Sequence, residues 1–438
     1  MVLLRSGQIG VRRMWAPFVV LAAVGVLSCT STPNGVAPEA AGPAVHESTT
    51  ADDLAEQGAT AQPDSAEATE PEAEASTEPQ PPATDAHQWR RVKHDDEVFG
   101  ADDGSRMRSV AAGGPGLVAV GWDVDQLAAA VWTSTDGIFW QRVTHDDGLF
   151  GGGGGGGRWM RSVTVGGPGL VAVGGDGGRG AAAVWTSTDG ISWQQVPHDE
   201  AVFAGDDLQE MRSVTVGGPG LVAVGSDGPA AAVWTSADGI SWQRVPHDEA
   251  VFGGANRQEM WSVAAGVPGL VAVGEDRGRN AAAVWTSNDG ISWQRVPHDE
   301  SVFAGDDLQE MRSVTVGGPG LVAVGYDWVR EAAAAWTSND GISWQRVPHD
   351  EAVFGGESPQ VMWSVAAGGP GLVAVGNDFG HGGAAVWTSA DGISWQRVPH
   401  DEAVFGGDGP QFMKSVTAGG PGLVAVGSDR KAAVWTSP

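Results

Sequence analysis

Three sets of residues in this chain carry usable chemistry, and each recurs at a regular interval. His94, His145, His198, His247, His298, His349 and His400 each precede two carboxylates. An imidazole beside two carboxylates offers the donors of a divalent-cation site. The triplets come one per repeat, so they cannot converge on one ion, and neither a metal nor another cofactor is expected. They read instead as turns that follow a strand, with Phe203, Phe252, Phe303, Phe354 and Phe405 anchoring each connection in apolar contacts.

A second set follows a recurring Met: Arg108, Arg161, Arg212, Arg312 and Lys414, with Trp261 and Trp363 at the same place in two units. Five cations at one repeated position can receive an anion. Pairing with acids such as Glu210 and Glu310 is the favoured alternative, since opposite charges would otherwise stay uncompensated. The third set is carboxylates in variable stretches, Asp123, Asp327 and Asp378, the residue types of a hydrolase acid and base. Each ends a G-x-D pattern found in all seven units, and a catalytic pair has no reason to recur sevenfold.

These residues hang on a repeat. A V/A-W-T-S phrase ends at Trp132, Trp185, Trp234, Trp285, Trp336, Trp387 and Trp435, at intervals of 48 to 53 residues, a period that marks a repeat architecture. In the unit Met211 to Val245, Arg212–Val216 and Leu221–Gly225 read as strands joined by the turn Gly217-Gly218-Pro219-Gly220. Ala231–Ser236 and Ile240–Val245 read as two more, turned at Asp238-Gly239. Leu-Val-Ala-Val is apolar at consecutive positions, so both faces of the four-stranded antiparallel meander must be buried between neighbours. The expected fold is all-β, a seven-bladed β-propeller over residues 85–438. The last unit lacks its fourth strand and the segment Gln88–Val92 resembles it, so the N-terminal strand is expected to complete the last blade and close the ring.

The hairpin T-S-x-D-G-I-S-W is the most specific local signal. Asp136, Asp189, Asp238, Asp289, Asp340 and Asp391 stand before a turn Gly, where a short carboxylate accepts backbone N–H bonds and Gly takes positive φ. The pattern resembles the Asp-box (BNR) repeat of sialidase-type propellers, with one residue fewer between Asp and Gly. The resemblance implies a structural hairpin between third and fourth strands, away from any active face. Sialidase chemistry in that family uses a tyrosine nucleophile backed by a glutamate, plus three arginines. The sole tyrosine, Tyr326, has no matching arginine motif, so no catalytic residue is carried over. A glycoside hydrolase of Asp-box type stays the alternative to a non-catalytic binding or scaffold module.

The net charge of −29 disfavours nucleic acid as a partner. Residues 1–28 carry Arg5, Arg12 and Arg13 and the apolar run Met14–Leu27, and then Val26-Leu27-Ser28-Cys29. This resembles a bacterial lipoprotein signal, which implies cleavage before a lipidated Cys29 and a lipid-anchored, extracytoplasmic protein of the cell envelope. Residues 29–84, rich in Ala, Glu, Pro and Thr with no Lys or Arg, read as a disordered acidic linker. The Gly151–Gly157 run is expected to be the most mobile blade connection.

Tryptophans out of frame with the repeat point to a binding face. Trp122, Trp159, Trp261, Trp328 and Trp363 all fall on the variable side, opposite the nearly invariant Gly-Gly-Pro-Gly and Asp-Gly turns. Trp122, Trp328 and Tyr326 are placed in loops, and Trp159, Trp261 and Trp363 at the start of first strands near the axis, with Phe379 and Phe412 nearby. Aromatic faces around a shallow depression suit sugar rings or peptide side chains, and packing against neighbouring loops is the alternative. The expected partner is a carbohydrate or a protein, bound by a monomer.

Overall fold

The computed structural model describes residues 88–438 apart from 101–103, 153–155, 306, 370 and 408. The chain divides into two units, residues 1–76 and 77–438, and every described residue belongs to the second. The signal segment, the linker, Cys29 and Gly153–Gly155 lie outside the described residues.

The described residues form seven four-stranded antiparallel sheets, each a meander of consecutive strands. The first blade runs Ser105–Gly113, Gly116–Asp123, Ala128–Ser134 and Trp140–Arg142. Blades two to six begin at Arg158, Gln209, Gln258, Gln309 and Gln360. The seventh takes Gln411–Gly419, Gly422–Asp429 and Lys431–Ser437 from the end of the chain and Arg90–Arg91 from its beginning. Arg90 pairs with Thr436 and Arg91 with Trp435. Trp89, 6 % exposed, fills the socket that Trp140 or Trp242 fills in other blades. The ring is closed as the split repeat requires.

The core consists of seven interfaces between neighbouring blades. In the second blade Leu170 and Ala172 pack towards the first blade, and Val171 and Val173 towards the third. Strand alternation sends successive side chains to opposite faces, which is why an unbroken apolar run suits a sheet sandwiched on both sides. The turns of one end interlock as well. A Cβ placed on Gly167 would lie 2.7 Å from the Asp238 carbonyl, and Gly167 holds φ of 55°, so both space and backbone demand glycine there.

The turn aspartates act as the residue pattern predicts. Asp238 Oδ1 accepts from the amides of Ile240 and Ser241 at 2.8 and 2.7 Å, Ser236 Oγ accepts from Gly239, and Trp242 Nε1 donates to the Gly239 carbonyl. These bonds hold Asp189, Asp238, Asp289 and Asp340 at about 2.

The blade connections hold a feature the pattern of residues did not announce. The His-Asp-Glu triplets start one-turn helices, such as Glu200–Phe203 and Glu249–Phe252. Asp199 caps the first by accepting from the Ala201 amide, and His198 Nε2 meets Glu200 Oε2 at 3.0 Å. Phe203 is buried, and Trp234 of the next blade donates to the Val202 carbonyl at 2.8 Å. The Trp of the repeated phrase thus ties each blade to the connection before it.

Candidate functional site

First strands of neighbouring blades contact one another all the way round, which places their beginnings at the axial mouth. A β-bulge follows each Met, as between Met211 and Ser213. The residue before Met pairs with the residue inside G-x-D on the second strand: Arg106 with Trp122, Glu210 with Ser226, Glu259 with Glu275, Glu310 with Tyr326 and Phe412 with Ser428. Directly opposed residues share a sheet face, so each blade offers one such pair and the residue after Met.

Trp122 and Tyr326 are therefore strand residues, which corrects their placement in loops. The second strands run on to the G-x-D aspartate because that residue still pairs on both sides, as Asp227 does with Gln209 and Ala230. Tyr326 is buried, and burial first, then the Glu331, Glu310 and Asp327 carboxylates, push its hydroxyl up to about 12. Trp328 is a loop residue, 47 % exposed, set edge-on to Tyr326 with ring centroids 5.1 Å apart.

The G-x-D aspartates are also not loop carboxylates. Asp123, Asp327 and Asp378 end strands, are buried, and pair with Arg142, Arg346 and Arg397 of the fourth strand of their own blades. Burial alone would raise Asp327; hydrogen bonds from Gln309 and Arg330 and the charge of Arg346 outweigh it and hold the group at about 2. Arg91 of the closing strand makes the same pair with Asp429. In the second blade Gln195 replaces the fourth-strand Arg, and Arg158, on the first strand, supplies the guanidinium to Asp176 at 2.9 Å. This exchange is written in the sequence as Gln194-Gln195 against Gln-Arg in blades one and three to six and Arg90-Arg91 in the seventh.

At the mouth the sequence-predicted residues meet as a ladder. Arg212 and Arg312, from the blades flanking the fourth, lie 4.0 and 4.2 Å from the Trp261 ring centroid. Arg312 lies 5.0 Å and Lys414 Nζ 3.3 Å from the Trp363 centroid. Cations from both sides cover these rings, so Trp261 and Trp363 pack and do not present free faces. Trp363 Nε1 also donates to Asn377 Oδ1 at 2.5 Å.

The cations divide into two groups. Arg161 pairs with Glu210 at 2.6 Å, Arg212 bridges Glu210 and Glu259, and Arg312 pairs with Glu310. Trp159 Nε1 donates to the same Glu210 oxygen that Arg161 meets. Burial first, and then the neighbouring Glu310, raises Glu275 above the usual carboxylate range although Arg277 opposes the shift. Arg108 and Lys414 instead have no carboxylate partner among the described residues. Burial first, then Arg161 and Arg106, pushes Arg108 down to about 10, and burial with Arg108, Arg312 and Arg106 takes Lys414 well below its ordinary value. Among the described residues no group of three or more His, Cys, Asp or Glu side chains is placed to hold a metal ion.

Fold and mouth together define a seven-bladed β-propeller with a charged axial opening. Residues 182–366 match the DUF6242 β-propeller domain, and no curated protein matches the chain. Among solved structures, the inactive virginiamycin B lyase of Staphylococcus aureus is similar at 11 % identity and a TM-score of 0.48, over 80 % of this chain and 99 % of that one. The WD40 β-propeller domain of Doa1 is similar at 14 % identity and a TM-score of 0.46, over 80 % and 97 % of the two chains.

Proposed function

We propose that this protein is a non-catalytic binding or scaffold module of the bacterial cell envelope. It is an Asp-box-type propeller exported with a lipoprotein signal, anchored through lipidated Cys29, and acting as a monomer. Its partner is a glycan or a protein that docks on the loop face around the axial mouth. The observation that carries this reading is the fate of the G-x-D carboxylates. Asp123, Asp327 and Asp378 are committed to ion pairs within their own blades, whereas Trp328, Val329 and Phe379 stand exposed on the loops beside them.

A glycan array probed with the full chain and with its Trp328→Ala and Phe379→Ala variants tests the reading. Retention lost in the variants with no released sugar supports a binding module. Turnover of a glycoside that disappears in Asp327→Asn would refute it in favour of a hydrolase.

A further inference from the structure

The mouth is electrically lopsided. On blades two to five the Arg161, Arg212 and Arg312 guanidiniums each meet a glutamate. On blades seven and one no acid stands at the equivalent places, which are filled by Phe412 and Arg106. A cavity of about 500 Å³ opens there, lined by Arg106, Arg108, Phe412, Lys414, Ser428 and Arg430. That volume falls within the range of small-ligand sites. Arg106 and Arg108 make no hydrogen bond or ion pair among the described residues, and Lys414 is held by the rings of Trp363 and Phe412 alone.

Cations left unpaired at close quarters repel one another and lose hydration, and both effects cost stability unless a counter-charge arrives. The depressed values of Arg108 and Lys414 are the signature of that cost. Among the described residues the glutamates of the mouth are engaged on the far arc, and Glu210 only partly offsets the charges around Arg108. A planar fork at Arg108 and a point charge at Lys414 are complementary donors for an oxyanion. Ser428 adds a hydroxyl, and Phe412 an apolar wall for the group that bears the charge.

We propose that this pocket between the first and seventh blades binds an oxyanion, a carboxylate or phosphate group of the docked partner, through Arg106, Arg108 and Lys414. The proposal rests on the binding reading only in assigning the oxyanion to the partner; Arg106, Arg108 and Lys414 themselves stand on first strands.

Titration calorimetry of the full chain with glucuronate, with inorganic phosphate and with neutral glucose tests it. Glucuronate or phosphate binds saturably and glucose does not, and which of the two binds tells a carboxylate source from a phosphate source. Arg108→Gln and Lys414→Met each weaken the interaction by about 30-fold. Their melting temperatures stay level or rise, since each removes an unpaired cation, so lost binding is not lost folding. Trp328→Ala, whose ring sits against Tyr326 and away from the pocket, leaves the oxyanion heat intact, which separates failure of the pocket from failure of the loop-face reading. Absence of heat with both anions up to about 10 mM, where even a weak site with a Kd of roughly 1 mM would register, overturns the proposal. Binding unchanged in both cation variants does the same.

Discussion

Trp89 is the sharpest test of the closed ring. It is 6 % exposed and packs with Val398, Phe405 and Trp435, so it shares one apolar cluster with side chains from the sixth and seventh blades. Truncating a buried Trp to Ala costs about 3–5 kcal/mol in lost transfer energy and cavity. At roughly 2.1 cal/mol/K of unfolding entropy per residue, a ring of this size loses about 1.4 °C per kcal/mol, or 4–7 °C in all. Trp242→Ala, at the matching position of an interior blade, is the internal standard, because its cluster has the same make-up. The two variants should melt alike by scanning calorimetry, each in one transition. A mere local strap at Trp89 would let Trp89→Ala melt within about 1 °C of the parent while Trp242→Ala falls by several degrees, and that result would refute closure by the first strand. Arg91 offers a second handle on the same strand, since it pairs with Asp429 and donates to the Gly406 carbonyl at 3.1 Å.

The remaining expectations concern charge. Asp189, Asp238, Asp289 and Asp340 are held at about 2 in the fold against 3.8 for the free side chain, so their stabilisation is complete above about pH 4 and drains away as pH falls towards 2. Changing all four to Asn should flatten the acid limb of melting temperature against pH; an unchanged limb would show that other carboxylates set it. In the second blade, Arg158→Gln strips Asp176 of its buried partner and leaves the exposed Arg179 at 3.7 Å, at a cost of about 3 kcal/mol. Adding Gln195→Arg should recover most of that loss, and strict additivity in the double-mutant cycle would disprove the exchange.

The architecture was legible because the repeat states its own strand pattern seven times and leaves its two ends complementary. The turn Asp and the covering Trp were legible for a related reason: their hydrogen bonds run between residues two or three apart, as from Asp238 to Ile240 and Ser241. What escaped was structure set by partners one repeat away. Trp234 capping the Val202 carbonyl joins residues 32 positions apart, and nothing in the local spacing announces the bond, whereas the pairing of the mouth cations with Glu210 and Glu310 was expected from their charges. The one-turn helices escaped because four residues are too short to show a helical period, although Asp199 before Glu200 is an ordinary N-cap pair.

Near-identity of the units hid the mouth in a different way. Where almost every position repeats, the informative columns are those that do not, and the ring geometry identifies two: the residue before Met and the residue within G-x-D. Reading the first round the ring gives Arg106, Trp159, Glu210, Glu259, Glu310, Val361 and Phe412, set against Arg108, Arg161, Arg212, Trp261, Arg312, Trp363 and Lys414 after the same Met. Acids occupy one arc only, on blades three to five. Each cation within reach of that arc is neutralised there, and the two most distant from it, Arg108 and Lys414, face each other across the junction of the first and last blades. The asymmetry is thus a property of two columns in register, visible once closure places the seventh blade beside the first. It follows that a single added acid should relieve it: Phe412→Glu would restore the missing partner, raise the melting temperature, and at the same time abolish oxyanion binding by filling the pocket with the protein's own carboxylate. A variant that gained stability yet bound glucuronate or phosphate as before would show that the cations and the ligand do not share a site.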